Sequence, residues 1–404
     1  MAEAYRREWA YVLAATVRVT GDIDVAEECV QDAFARALSA WPASGIPSNA
    51  GAWLTTVARR RAIDVLRRES AQGRALVKLV EPEGDSLPNG VDLPSAPDDR
   101  LRLIFTCCHP SLSLESQVAL TLKLLCGLST AEVARAFLVS ESTMAARITR
   151  AKKKITTSHI PYRVPETEDL PARIDAVLAV VHLVFTTGHT APLGSELMRR
   201  DLVERSLDLA RMMRALLPDD PDVGGLLALI LLTDARHETR TGVDGTLVLL
   251  SEQDRSRWDH GAIEEGSELV RDALGRRPCG PFVLMAAIAA VHAEAPSWES
   301  TDWREIVDLY DLLLVTWPSP VVALNRAVAI GLANGPEAGL NALAALTTDP
   351  QLSSYNYFAS ARADFLRRLG RVEEAQAAYR EAITCCENEI ELAFLVGRLN
   401  ELSE

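Results

Sequence analysis

Apolar side chains recur at helical spacing from residue 5 to residue 41, and Gly21 and Asp22 interrupt the run. Two helices are predicted there, the second capped by Asp22 or Asp24. Along VAEECVQDAFARALSAW, the residues Val30, Phe34, Ala37, Leu38 and Trp41 fall together as one apolar face. Residues 42–49 are rich in Pro, Gly and Ser and read as a loop, after which helix resumes from about Ala50 to Arg68. Residues 73–97 lose the periodicity and collect Gly73, Gly84, Gly90, Pro82, Pro88, Pro94 and Pro97. They read as a flexible linker that spans roughly 25–30 Å as a coil. The helical pattern returns at Asp98 and runs to about Ile155, and Pro161, Pro165 and Pro171 mark the next boundary. Almost everything after that boundary again reads as helix. The pattern therefore predicts an all-α chain in four segments: 1–72, the linker 73–97, 98–160 and 161–404. Its longest apolar runs, near 223–232 and 282–291, are shorter than a bilayer crossing and are expected to be buried helices.

Within the last segment a degenerate repeat emerges. Ile306, Tyr310 and Leu313, then Ala338, Ala342 and Ala345, then Ala375, Tyr379 and Ala382 share one spacing. The repeat length is near the roughly 34 residues of tetratricopeptide units. A helical-repeat domain is the expectation.

Charge changes the picture. The chain carries −14 overall, but residues 1–160 sum to +2 and residues 161–404 to −16. Residues 101–160 hold 8 basic against 3 acidic side chains. A local basic patch, rather than net charge, is what nucleic acid reads. The seven cysteines form no CxxC pair, which suggests a reduced, cytoplasmic chain without a disulfide framework.

The densest candidate chemistry lies in residues 128–155, LSTAEVARAFLVSESTMAARITRAKKKI. Ser129 is placed to cap one short helix, with Ala131, Val133, Ala134 and Phe137 on its apolar face. Ser140 is placed to cap a second, with Met144 and Ile148 turned inward. Ser140, Glu141, Ser142 and Thr143 would meet base edges and phosphates if that helix entered a major groove. Arg147, Arg150, Lys152, Lys153 and Lys154 would follow on the backbone. The bland alternative is a helical hairpin whose lysine run only complements the helix dipole. A second basic element, WLTTVARRRAIDVLRR, sets Trp53 beside Arg59, Arg60, Arg61, Asp64, Arg67 and Arg68. Alone it would read as a solvated helix face. Tethered by a linker to a helix-turn-helix, it suggests two separate DNA contacts.

Together these segments resemble a bacterial sigma-70-type initiation factor of the extracytoplasmic-function (ECF) class. Ala26 through Leu38 is similar to the family's region 2 helix, which docks on the clamp of the polymerase β′ subunit. The resemblance gives Glu28, Gln31, Asp32, Phe34 and Arg36 that role. Trp53 through Arg68 is similar to the segment that melts and reads the −10 element. Arg60 falls where family members commonly carry an Asn. Residues 98–155 resemble region 4, whose second helix reads the −35 element and which meets the β flap. The resemblance thus implies core RNA polymerase and promoter DNA as partners, with no cofactor, no metal, no catalytic activity and no membrane association. Phe105-Thr106-Cys107-Cys108-His109-Pro110, Leu247 through Leu250 with Gln253 through Asp259, and Pro318 through Ala327 are similar to the ECF subgroup with a tetratricopeptide-like C-terminal extension. Val184 through His189 departs from that subgroup, which often carries an acidic sequence there. The resemblance leaves the extension either masking the basic segments or docking a protein partner. A polymerase-independent helix-turn-helix regulator with a sensing domain is the alternative, which the region 2 likeness disfavours.

The remaining polar clusters point elsewhere. Cys107, Cys108 and His109, with Cys126, have the wrong spacing for a tetrahedral metal site and suit a buried core better. Asp254, Arg255, Trp258, Asp259 and His260 suggest a structural ion-pair network rather than an acid/base pair. His182, His189, His237 and His292 are expected to be structural.

Overall fold

The computed structural model describes residues 2–72, 99–137, 139–166, 168–191, 194–276, 279–353 and 355–402. The expected linker lies outside them. Among the described residues the regular structure is helical, and β pairing is confined to two isolated bridges, Gly194 with Asn388 and Thr241 with Leu247. The chain divides into two compact units, Met1–Val181 and His182–Glu404.

The first unit opens with three mutually packed helices, α1 (Ala2–Thr20), α2 (Ile23–Ser44) and α3 (Ala50–Gln72). Gly21 makes the α1–α2 corner at φ +67°, a conformation that suits glycine. Asp22, rather than Asp24, caps α2 by accepting from the Asp24 and Val25 amides. Trp9, Leu13, Val30, Phe34, Trp41, Leu54, Ala58 and Ala62 form the core. Leu38 departs from the expected apolar face: it is 59% exposed, because Val30, Phe34, Ala37 and Trp41 already fill the buried stripe and Leu38 lies one position around the helix.

The chain continues as α4 (Asp99–Cys107) and α5 (Leu114–Leu120). The latter runs straight into a π-helical turn at Thr121–Leu125. Then come α6 (Thr130–Ala136) and α7 (Glu141–Thr157). Ser129 and Glu132 form a reciprocal capping box on α6, and Ser140 caps α7 through the Thr143 amide. Met144, Ile148, Ala151 and Ile155 are the buried stripe of α7. Cys107, Cys108 and Cys126 are buried, and burial pushes the Cys108 thiol up to about 12.

The first compact unit extends beyond the boundary expected at 161, to Val181. Pro171 opens a helix rather than separating domains: it sits in the first turn of α8 (Leu170–His189), where its missing N–H costs nothing. Among the described residues α8 is the one helix long and apolar enough to cross a membrane. Its residues Ile174, Val177, Leu178, Val181, Val184 and Phe185 are buried within the fold. The two apolar runs noted in the sequence do not include it, because Arg173 and Asp175 dilute its start.

The second unit is a succession of helices: α9 (Arg200–Leu216), α10 (Pro221–Asp234), α11 (His260–Leu274), α12 (Pro281–Glu294), α13 (Trp303–Thr316), α14 (Pro320–Asn334), α15 (Pro336–Ala344), α16 (Asn356–Arg368), α17 (Val372–Thr384) and α18 (Glu389–Glu401). Most pack on their neighbours along the chain, and α10 packs as closely on α12 as on α11. Gly225 allows α10 to touch α12, since a Cβ there would lie 2.6 Å from the Val283 amide nitrogen. The repeat residues fall on α13, α15 and α17, alternate helices of the array. On α15 the register is one residue later than expected: Gly339 and Leu343 are buried, whereas Ala345 is exposed just past the helix end.

Candidate nucleic-acid interface

The α3 helix buries its small residues and turns most of its charges outward. Leu54, Ala58 and Ala62 face α1 and α2, while Arg59, Arg60, Asp64, Arg67 and Arg68 are exposed. Arg61 points the other way. Its Nε donates to Asp32 Oδ2 at 2.8 Å, and its Nη2 lies 3.7 Å from Glu28 Oε1. Trp53 is half-buried against Trp41, ring centres 5.6 Å apart. Arg61 and Trp53 thus brace α3 against α2, and the other four arginines and Asp64 form the solvent face.

On α2 the candidates also divide. Glu28, Gln31 and Arg36 are exposed, and Asp32 is half-exposed beside Arg61. Phe34 is buried, with its ring centre 4.8 Å from Tyr5 and 6.0 Å from Trp9. Its place is the core of the three-helix layer.

The α7 helix presents its first turn to solvent. Glu141, Ser142 and Thr143 are exposed, and the Ser140 hydroxyl lies 3.0 Å from Ser142 Oγ and 2.8 Å from Thr143 Oγ1. Arg147 lies over the Phe137 ring, 5.5 Å from its centre, which steadies the guanidinium at the turn between α6 and α7. Arg150, Lys153 and Lys154 are exposed. Lys152 is not: its side chain is 11% exposed and reaches back to α2, 2.6 Å from Asp24 Oδ1 and 2.7 Å from Glu27 Oε2. Lys123 holds the other Glu27 oxygen at 2.8 Å. Burial alone would raise the Glu27 carboxyl, but Lys152 and Lys123 outweigh it and hold it below the usual range. Burial likewise opposes the Lys152 ammonium, and Glu27 and Asp24 more than compensate, raising its pKa.

The Arg-rich face of α3 and the capped, solvent-facing α7 therefore occur in one compact unit, in chain order. Sigma-70 region 2 matches residues 4–72 and sigma-70 region 4 matches residues 102–155. The ECF RNA polymerase sigma factor SigK of Mycobacterium tuberculosis is 32% identical over 38% of this chain and 82% of SigK. The chain belongs to the ECF sigma factors. A probable ECF RNA polymerase sigma factor of the same species, SigI, is 31% identical over 39% of this chain and 54% of its own length. An uncharacterized protein of Rhizobium meliloti (strain 1021), R00370, is 39% identical over 97% of this chain and 93% of its own. Residues 173–274 match a family of unknown function, DUF6596. The likeness to R00370 thus runs past the two sigma regions, through the C-terminal helices as well.

Two of the motifs that resemble the extended subgroup, and the divergent stretch, have clear structural roles. In Phe105 through Pro110, the Phe105 carbonyl accepts from Arg173 Nη2, whose guanidinium also lies over the Phe105 ring. Thr106 Oγ1 lies 3.5 Å from the Pro161 carbonyl oxygen. Asp254 and Asp259 are caps, bonding the Ser256 and Ala262 amides, rather than members of an ion-pair network. Arg255 lies over Trp258 and donates to the His292 and Ala295 carbonyls at the end of α12, a natural seat for a cation. In the divergent Val184 through His189, a Cβ on Gly188 would come within 2.9 Å of the Val203 amide, so the glycine lets α9 approach. Among the described residues no group of three or more His, Cys, Asp or Glu is arranged to hold a metal.

Sequence reasoning passed over Glu27, Lys123, Trp9 and Tyr162. Trp9 Nε1 donates to the Leu124 carbonyl at 3.0 Å, and Tyr162 Oη donates to the Ala14 carbonyl at 2.8 Å. The signal for Glu27 was present: it falls on the same helical stripe as Val30, Phe34, Ala37 and Trp41, a carboxylate at a core position.

Proposed function

We propose that this protein is the promoter-specificity subunit of RNA polymerase for its own set of promoters, and that its C-terminal helical region regulates it. The exposed arginine face of α3, in one compact unit with the solvent-facing first turn of α7, carries the reading. In it, Glu28, Gln31, Asp32 and Arg36 on α2 contact the β′ clamp, and region 4 meets the β flap. Arg59, Arg60, Asp64, Arg67 and Arg68 open and read the −10 element. An arginine can stack on or hydrogen-bond an extruded base, as the Asn common in relatives would capture one. Glu141, Ser142, Thr143 and Arg147 read the −35 element in the major groove, with Arg150, Lys153 and Lys154 on phosphates. Phe34, Trp53 and Arg61 support this surface from behind. The protein supplies recognition and leaves catalysis to the polymerase.

Run-off transcription with purified core polymerase tests the reading. Promoter-specific initiation is expected. Tight binding of duplex DNA without initiation at any promoter would instead support a polymerase-independent regulator. Arg147→Ala should weaken −35 recognition by about 1–3 kcal/mol, whereas Arg60→Ala should mainly slow open-complex formation. Identical defects in the two variants would undo the division of labour.

Regulation by the C-terminal region is tested by ending the chain after Val181, the limit of the first compact unit. Higher run-off transcription from the shortened protein marks the region as inhibitory, and lower transcription marks it as required. Unchanged transcription would remove it from the mechanism.

A further inference from the structure

The second unit keeps a group of arginines and histidines inside it, and the charges around them do not balance. Arg236 and Arg240 follow α10, His189 ends α8 and His292 lies near the end of α12. Among the described residues the Arg236 guanidinium has neither an ion pair nor a hydrogen bond. Burial lowers it to about 9, and Arg240 adds to the effect. Part of its surface nevertheless stays open, so Arg236 lines a recess rather than filling the core. Arg240 is 7% exposed and donates to the His189 carbonyl oxygen. Burial lowers Arg240 as well, despite Tyr357, Glu391 and Asp234 nearby. Those acidic groups are engaged elsewhere: Tyr357 Oη donates to Glu391 Oε1 at 2.5 Å, and Arg200 Nη1 holds Asp234 Oδ1 at 2.5 Å. Arg255 gives its Nη1 to the His292 and Ala295 carbonyls, and its Nη2 is buried without a partner.

The imidazoles beside these arginines are left open too. His189 is 9% exposed and its Nδ1 has no partner, and the buried His292 Nδ1 has none either. Burial, then Arg240, Arg236 and Arg200, push the His189 imidazole well below its usual range. Both rings are neutral near pH 7, and a neutral imidazole still carries one N–H donor, which Nδ1 can present. The wall that holds His189 is fixed from the far end of the unit. Asn388 Nδ2, at the start of α18, donates to the Ala191 carbonyl at 3.0 Å and to the Glu196 carbonyl at 2.9 Å. A buried charge with no opposite charge is costly, and proteins keep such a conflict where a ligand resolves it. We propose that Arg236 and Arg240, with Nδ1 of His189 and of His292 as further donors, form a binding site for a small anion that carries a carboxylate or a phosphate. Such an anion would join α8, the turn after α10 and α12 through one ligand. The site lies wholly in the second unit and stands apart from promoter recognition by the first.

The test uses the full chain and three probes that share a ring and differ in charge: phenyl phosphate, benzoate and benzylamine. Titration calorimetry gives the affinity, and melting temperature is recorded with and without each probe. The wild type is expected to bind an anion, to melt higher with it and to ignore the cation. Binding of phenyl phosphate alone assigns a phosphate, binding of benzoate alone a carboxylate, and binding of both an anion site that accepts either. Arg236→Met should weaken anion binding about tenfold or more. Without ligand it should melt no lower than the wild type, because it loses a buried charge that nothing neutralises. His189→Phe keeps a ring beside Phe185 and removes Nδ1, and should weaken the anion severalfold. Arg257→Met, which removes an exposed arginine outside the recess, should bind as the wild type does. Failure of the wild type to bind either anion overturns the proposal, as does equal binding of benzylamine. So does an anion affinity unchanged in Arg236→Met and His189→Phe. An Arg236→Met chain that melts well below the wild type without ligand also overturns it, since the guanidinium would then have a structural partner.

Discussion

At the scale of single residues, the resemblance assigns roles by position along α2, α3 and α7, and packing decides the direction each side chain takes. Phe34 sits between residues assigned to the polymerase surface, yet Tyr5 and Trp9 enclose it. Phe34→Ala is therefore expected to cost about 3–5 kcal/mol of stability in the first unit. Gln31→Ala, on the exposed face of the same helix, should stay within about 0.5 kcal/mol. Denaturant unfolding of the two variants separates them, and equal stabilities would contradict the burial of Phe34. Loss of polymerase binding in Gln31→Ala would then be a direct effect, whereas in Phe34→Ala it would be secondary to unfolding. Arg61 was hard to assign for a related reason. In Arg59-Arg60-Arg61 the three charges are equivalent as letters, and only the packing of α3 on α2 decides that the third meets Asp32. Lys152 is similar: its neighbours Lys153 and Lys154 face solvent, and its partners lie more than a hundred residues away in sequence. Such long-range pairings leave no local trace. Glu27 did leave one, as a carboxylate on an apolar stripe.

At the scale of elements, caps and stripes were legible because their causes are local. Ser129 and Ser140 cap as their sequence positions indicate, and Met144 and Ile148 turn inward at helical spacing. Ser140→Ala should cost about 1 kcal/mol and fray the turn that carries Glu141 to Thr143. Weakened −35 binding with α7 otherwise intact is the expected result, read by hydrogen exchange at the Thr143 amide together with DNA binding. Unaltered exchange there would argue against the cap. The π-helical turn after α5 was not legible, since one extra residue in a helical turn has no composition of its own. The repeat register on α15 was misread for another reason: a run of alanines fits several registers, and Gly339 is selected by the Phe365 ring that packs over it. Gly225 shows the same logic at the α10–α12 contact. There Gly225→Ala would push a methyl group into the Val283 backbone and is expected to cost at least about 1–3 kcal/mol. A melting temperature equal to wild type would show that the two helices can part without penalty.

At the scale of the whole molecule, the charge asymmetry in the sequence anticipated two different objects, and their buried ionisable groups give them different responses to acid. In the second unit, burial lowers His182 to about 4, and burial with the nearby Arg236 and Arg255 lowers His292 to about 4. Both are neutral in the folded protein, while an unfolded chain protonates them near 6.5. Between those values the unfolded state binds more protons, so stability falls as pH drops from about 6.5 to about 4 and levels off below. The ion cluster of the first unit behaves differently. Glu27 is held below the usual carboxylate range, so its contribution is complete above that range and is lost only as pH falls through the lowered value. Lys152 is raised, so its contribution is complete below the ordinary lysine value and is lost only in strong alkali. Mild acid should therefore weaken the second unit and spare the ion cluster of the first. Calorimetry at stepped pH reads both at once. One transition should move down between pH 6.5 and 4 while the transition of the first unit stays in place. His182→Phe, which replaces a neutral imidazole among Phe282 and Trp317 by another ring, should reduce that movement, leaving the share of His292, and so assign the transition. A second-unit transition that ignores pH across this window would show that these imidazoles are not held neutral by burial. A first-unit transition that moves down within it would show that Lys152 and Lys123 do not hold Glu27 below the usual carboxylate range.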